Sequence, residues 1–86
     1  MEFEFDQNKS ESNKRKHGID FIQAQSLWFD PHRVYIKAKT ADEKRFILIA
    51  RRKTQIWSAI YTLRNNNVRI ISVRRSRKEE VAIYEG

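Results

Sequence analysis

The chain has no cysteine, a single proline and two glycines among its 86 residues. Without cysteine there is no disulfide and no thiolate to hold zinc. The two histidines, His17 and His32, stand apart in sequence, and no carboxylates cluster beside them at ligand spacing. No metal and no other cofactor is therefore expected. Gly18 and Gly86 are too far apart to form a glycine-rich phosphate loop, and no Ser-His-Asp arrangement is present. No apolar run approaches the roughly 20 residues that cross a bilayer. The opening Met1-Glu2-Phe3-Glu4-Phe5-Asp6 is acidic where a signal peptide would be basic and then apolar, so a cytoplasmic location without membrane partners is expected.

Positive charge is abundant. Eighteen Lys and Arg face eleven Asp and Glu, giving a formal charge of +7 and a pI near 10.1. That balance favours polyanions: nucleic acid, an anionic membrane or an acidic protein. The cations cluster at Lys14–Lys16, Lys44–Lys53 and Arg64–Lys78, beside ordered elements rather than in a tail. A membrane-surface role needs an amphipathic helix, and the first helical segment lacks the apolar face. With 40% hydrophobic residues and a mean hydropathy of −0.79, the chain is polar but able to build one core. The length predicts a single domain over residues 1–86. A chain this short buries roughly 60–65% of its unfolded surface, so a permanent partner would add to a modest stability.

Phe3 and Phe5 alternate with Glu2 and Glu4, which predicts a short first strand. Asp6 is placed to cap a polar helix over Gln7–Lys16 that stops at Gly18, with its cations in the last turn. Asp20 caps a second helix with the apolar stripe Phe21, Ala24, Leu27 and Trp28, ended by Asp30-Pro31. Four strands follow. Val34, Ile36 and Ala38 alternate with Arg33, Tyr35, Lys37 and Lys39, so that strand has one wet face. Phe46–Ala50 is apolar on both faces, as a central strand is. Ile56–Leu63 follows a cationic turn at Arg52-Lys53-Thr54, and Val68–Arg74 follows a turn at Asn65-Asn66-Asn67. Ser76-Arg77-Lys78-Glu79 has the spacing of a capping box opening a last helix through Tyr84. The order β-α-α-β-β-β-β-α predicts an α+β fold: an antiparallel four-stranded meander plus a short N-terminal strand, with helices on one side.

Cleaving RNA without a metal requires a base for the ribose 2′-OH, cations for the phosphorane and an acid for the leaving 5′ oxygen. Histidine serves either proton-transfer role, and arginine's forked charge fits phosphate oxygens. His17 follows Lys14-Arg15-Lys16 in the turn between two helices and is the candidate proton carrier; a capping or packing histidine is the competing reading. His32 is read as a loop residue. Arg64 and Arg69 flank one tight turn, while Arg74, Arg75 and Arg77 surround a helix start, where anions are favoured. The same arginines would equally form the wet side of a half-exposed sheet. Tyr35, Tyr61, Trp57 and Trp28 have the chemistry to stack on splayed bases, though the tryptophans fit a core better.

Taken together, these residues resemble the BrnT family of bacterial type II toxins, ribonucleases with a RelE-like fold. The resemblance runs nearly end to end. It includes Phe3-Glu4-Phe5-Asp6, Lys9, Asn13, Lys16-His17-Gly18-Ile19, Phe21, Ala24, Phe29-Asp30, Glu43, Arg45-Phe46, Thr62, Arg64, Arg69-Ile70-Ile71-Ser72-Val73-Arg74-Arg75, Lys78-Glu79-Glu80 and Tyr84. It implies an RNA-cleaving toxin that inhibits translation. It also implies a BrnA-like antitoxin with a ribbon-helix-helix part, through which alone the pair would bind operator DNA. Carried over position by position, the resemblance implies functional roles for His17, Lys14 or Lys16, Arg45, Arg64 and Arg74. His17, Arg64 and Arg74 are expected to be catalytic, and Lys14, Lys16 and Arg45, with Arg69 and Arg75 of the last hairpin, to bind the RNA. The chain departs from the family pattern at Ala50-Arg51, at Leu63, and in the loop Lys39-Thr40-Ala41-Asp42-Glu43, where Glu43 alone would supply a catalytic carboxylate. Two other readings compete: a non-catalytic basic module that binds RNA or an acidic antitoxin, and a structural subunit that needs a partner to fold.

Overall fold

A computed structural model describes residues 2–39 and 43–86. Most of the acidic-loop departure, Thr40-Ala41-Asp42, therefore lies outside the described residues. The elements are β1 (Phe3–Glu4), α1 (Gln7–His17), α2 (Phe21–Ala24), a 3₁₀ turn (Gln25–Phe29), β2 (Val34–Ala38), β3 (Arg45–Arg52), β4 (Gln55–Arg64), β5 (Asn67–Arg75) and α3 (Lys78–Glu85). No helix among the described residues is long and apolar enough to cross a membrane.

The capping logic of the first helix holds. The Asp6 side chain accepts from the Lys9 N–H, and Gly18 at φ 81° closes the last turn onto Lys14 O. The second helix is shorter than its stripe predicts. Asp20 and Gln23 cap each other's backbone, but after Ala24 the chain tightens into a 3₁₀ turn. Phe21, Ala24, Leu27 and Trp28 are nonetheless all buried, because the tightened turn keeps them on one side.

The sheet corrects the predicted meander. Its order is β1-β5-β4-β3-β2, five strands in one mixed sheet. β2 to β5 pair antiparallel through short turns; Asn65 and Asn66 both take positive φ, which a tight two-residue hairpin requires. β1 joins the same sheet in parallel, Phe3 against Val68 and Glu4 against Arg69. A two-residue strand carries too little pattern to disclose its partner, and the whole α1–β4 segment separates it from β5.

The helices are also not confined to one side. Ala59 pairs with Leu48 and Val73, all core residues packed with α2 and the 3₁₀ turn. Its neighbour Ser58 pairs with Ile49 and Arg74, which strand alternation puts on the opposite face. Ser58 and Arg74 both bond Glu80 of α3, so α3 covers this second face, where Ile49 is 0% exposed. The cap of α3 also sits one residue later than predicted. Glu80, not Glu79, reaches back to the Arg77 N–H, because Ser76 Oγ is already bonded to Ser58 Oγ.

Candidate functional site

α1 lies along the part of β5 that β1 leaves unpaired. Asn13 makes the join: its Nδ2 donates to Val73 O at 2.9 Å and to Ile19 O at 2.8 Å, and its Oδ1 accepts from the Val73 N–H at 3.1 Å. A side-chain amide thus replaces a neighbouring strand and fixes the helix to the sheet edge. Just before Val73 the β4–β5 register slips: Ile60 pairs with Ser72 while Tyr61 pairs with Ile70. Ile71 is the extra residue, and such a bulge re-aims side chains at an edge.

Between the bulge and the helix is a cavity of about 170 Å³ lined by Lys9, Ser12, Asn13, Lys16, His17, Ile71 and Ser72. Lys9, Asn13 and Lys16 recur at helical spacing and present one side of α1, with His17 at its end. His17 is solvent-exposed rather than packed beneath the turn. The arrangement offers an imidazole, two ammonium groups and two hydroxyls around a space open to solvent.

Ser72 connects this cavity to the second sheet face. The row Ile36, Ile47, Ile60 and Ser72 crosses four strands and is half-buried beyond the reach of α3. In the next row Arg45 stands opposite Ala38 and Arg69 opposite Thr62. The open half of this face is thus an apolar floor with arginines beyond it and the His17 cavity at its β5 edge.

The arginines differ in how far they are committed. Arg69 Nη1 lies 3.3 Å from Glu4 Oε1, and Arg64 Nη2 lies 3.6 Å from Glu43 Oε2 with side chains 52% and 40% exposed. Arg74 is held on two atoms: Nη1 donates to Glu80 Oε1 at 2.7 Å and Nη2 to Oε2 at 2.8 Å. The bond from Arg74, outweighing burial and helped by the Arg77 N–H and Ser58, lowers the Glu80 carboxyl to about 2, and Arg74 is raised in return.

The predicted residues therefore do not form one cluster. Lys16 and His17 share the cavity, and Arg45 and Arg69 share the adjoining face. Lys14 turns from the cavity, its Nζ donating to Gln23 Oε1 at 2.9 Å. Arg75 lies on the first face, opposite Trp57 and 5.7 Å from its ring centroid. Arg64 sits at the hairpin tip. Trp28, Trp57 and Tyr61 are buried, while Tyr35 is exposed. Sequence reasoning gave no chemical role to Lys9, Ser12 or Ser72. The spacing of Lys9 and Lys16 was a usable signal, but Ser72 enters only through the bulge. His32 is exposed in the Asp30 turn. Among the described residues no group of three or more His, Cys, Asp or Glu gathers in a way that would hold a metal ion.

Among curated proteins no relative matches this chain. The family model described as "Ribonuclease toxin, BrnT, of type II toxin-antitoxin system" matches residues 5–80, a span that contains the cavity, the bulge and every arginine named above. The chain belongs to the BrnT family of ribonuclease toxins.

Proposed function

We propose that this toxin is a metal-independent endoribonuclease in which the ribose 2′-OH attacks its own 3′ phosphate beside His17. The observation that carries the proposal is the single cavity shared by His17, Lys9, Lys16 and Ser72. In this reading His17 takes the 2′-OH proton as the O2′–P bond forms. The charge that accumulates on the phosphorane is met by the Lys9 and Lys16 ammonium groups. The P–O5′ bond then breaks, and the leaving oxygen is protonated by His17 in its charged form or by a cavity lysine. The products carry a 2′,3′-cyclic phosphate and a 5′-hydroxyl. Arg45, Arg64 and Arg69 position the strand over the open sheet face. Arg74, raised as a catalytic residue by the resemblance, acts through whichever donors Glu80 leaves unoccupied. Lys14 and Arg75 contribute field rather than contact.

A type II family implies an antitoxin partner. We further propose that it is BrnA-like, that it alone carries operator binding, and that the pair acts in the cytoplasm on RNA needed for translation.

The test is purified protein on end-labelled RNA in EDTA, wild type beside His17→Ala. Scission is expected to survive EDTA, to give cyclic-phosphate ends, and to fall by about 10²–10⁴-fold in the variant with RNA affinity retained. Products with 5′-phosphates would refute the 2′-OH mechanism. Binding without scission would leave the basic binding module as the better reading.

A further inference from the structure

Phe29 ends the 3₁₀ turn with 77% of its surface exposed, an unusual placement for the side chain that follows buried Leu27 and Trp28. It lines a cavity of about 480 Å³ together with Ser26, Asp30, Pro31, Arg51, Arg52 and Lys53. That volume falls in the range of ligand sites, and its lining shares no residue with the His17 cavity. The aromatic ring and the cationic β3–β4 turn are locked together. Asp30 Oδ2 accepts from the Arg51 N–H and from the Tyr84 hydroxyl, each at 2.7 Å, while Oδ1 accepts from the His32 N–H at 2.9 Å. Burial pushes the Asp30 carboxyl up, but these bonds outweigh it and keep it low, so its lone pairs are spent on protein donors. Arg51 lies 5.8 Å from the Tyr84 ring centroid, while Lys53 is exposed at φ 58° in the turn and Arg52 is half-buried beside it.

We infer that this platform is a second RNA-binding site, taking one unpaired base on Phe29 and its flanking phosphates on Arg52 and Lys53. An exposed aromatic ring beside successive cations is the pairing that single-stranded RNA uses, since every base offers a π-face and every linkage a charge. A helical protein partner would need a hydrophobic groove, whereas apart from Phe29 and Pro31 this cavity is lined by Ser26, Asp30 and three cations. Sheet spacing separates the two sites modestly. Ser72 pairs with Ile60 and Ile60 with Ile47, and Arg51 is four residues along β3, which puts Arg51 roughly 16 Å from Ser72. A strand of several nucleotides reaches both. The platform therefore favours single-stranded over duplex RNA and longer strands over short ones, with little base preference.

This inference rests on RNA being the substrate, and its test does not depend on cleavage. The probe is a fluorescein-labelled, fully 2′-O-methylated single-stranded oligonucleotide followed by anisotropy. Phe29→Ala is expected to weaken binding roughly 5- to 100-fold, and Phe29→Trp to restore it. Arg52→Ala/Lys53→Ala should lower the log–log salt slope by about 1.4, for two phosphates released. A duplex probe should be insensitive to Phe29→Ala. Unchanged single-strand affinity in Phe29→Ala would overturn the assignment. So would equal binding by Phe29→Leu, which keeps apolar surface without a ring and so would show that no base stacks there. A wild type that binds the probe as expected but never cuts RNA would instead refute the nuclease reading and leave this one standing.

Discussion

Replacing Glu80 by Gln should remove from this protein a share of its stability that exists only above acid pH. Glu80 is 8% exposed and accepts from Arg74 Nη1 and Nη2, Ser58 Oγ and the Arg77 N–H. These bonds, Arg74's first, hold its carboxyl at about 2 against an ordinary 4.5, despite the upward push of burial. At about 1.4 kcal/mol per pH unit, the difference is worth about 3 kcal/mol. The sign follows from the direction. The folded state releases this proton more readily than the unfolded one, so the stability is complete above pH 4.5 and is lost as pH falls toward 2. At 0.05–0.15 kcal/mol per residue the whole domain has about 4–13 kcal/mol, so this pair is a large share. Removing one partner of a buried pair costs about 3–5 kcal/mol, consistent with that figure. Urea unfolding followed by Trp28 and Trp57 fluorescence should show wild type about 3 kcal/mol above Glu80→Gln near neutral pH, equivalent to a Tm gap of about 10–20 °C. The gap should shrink to about 1 kcal/mol at pH 2.5 and close only below about pH 2. Asp30 is also held low, but it is present in both proteins and cancels in the difference. A gap that does not change with pH would refute the reasoning.

Two further substitutions test how the site is mounted. Asn13→Ala leaves the buried Val73 N–H and the Val73 and Ile19 carbonyls without their partner; the expected loss is about 3 kcal/mol in urea unfolding, with faster hydrogen exchange at the Val73 amide. If only exchange at α1 amides rises, the helix is held by something other than this amide. Gly18→Ala meets no atom within 4 Å, so its cost is backbone strain at φ 81°, about 1 kcal/mol, and thermal melting that is unchanged would mean the turn relaxes.

Local signals in the sequence were legible where one residue's chemistry decides the structure. Asp6, Gly18, Asp20 and the Asn65-Asn66 hairpin all act within four residues of themselves, and each does what its type predicts. Alternation placed β2 as a strand with one wet face, and the unbroken apolar run Phe46–Ala50 placed β3 as a central one. Relations between distant segments were not legible. The parallel pairing of β1 depends on where α1 returns the chain, and the position of α3 depends on Glu80 finding Ser58 and Arg74 on the second face. The sequence points to Ser76 and Glu79 as the capping pair, and Ser58, far off in sequence, shifts the cap one residue later by occupying Ser76. For the site, Lys16 and His17 were legible because they are adjacent. Ser72 was not read as a site residue, although the buried positions of β5 change parity from Val68 and Ile70 to Val73, the trace that a register slip at Ile71 leaves.

The charge count alone overstates the field available to RNA, and the pairing pattern shows by how much. Lys9, Lys16 and Arg45 carry no ion pair among the described residues, so a phosphate gains their attraction without displacing a carboxylate. Arg64 and Arg69 are paired with Glu43 and Glu4 on partly exposed side chains, where such contacts are worth about 0–1 kcal/mol. Exchanging a carboxylate for a phosphate there costs little, and it releases an acidic side chain whose own repulsion must then be screened. Arg74 is different. Its partner is buried, bonded four ways and strongly ionised, so drawing its guanidinium away would strand a charge inside the protein at about 3–5 kcal/mol. The fold has thus sorted its arginines by burial. On the proposed function, those at the hairpin end of the sheet would trade carboxylate partners for a polyanion at little cost, while Arg74 ties α3 to the second face and would give RNA only the donors that Glu80 leaves.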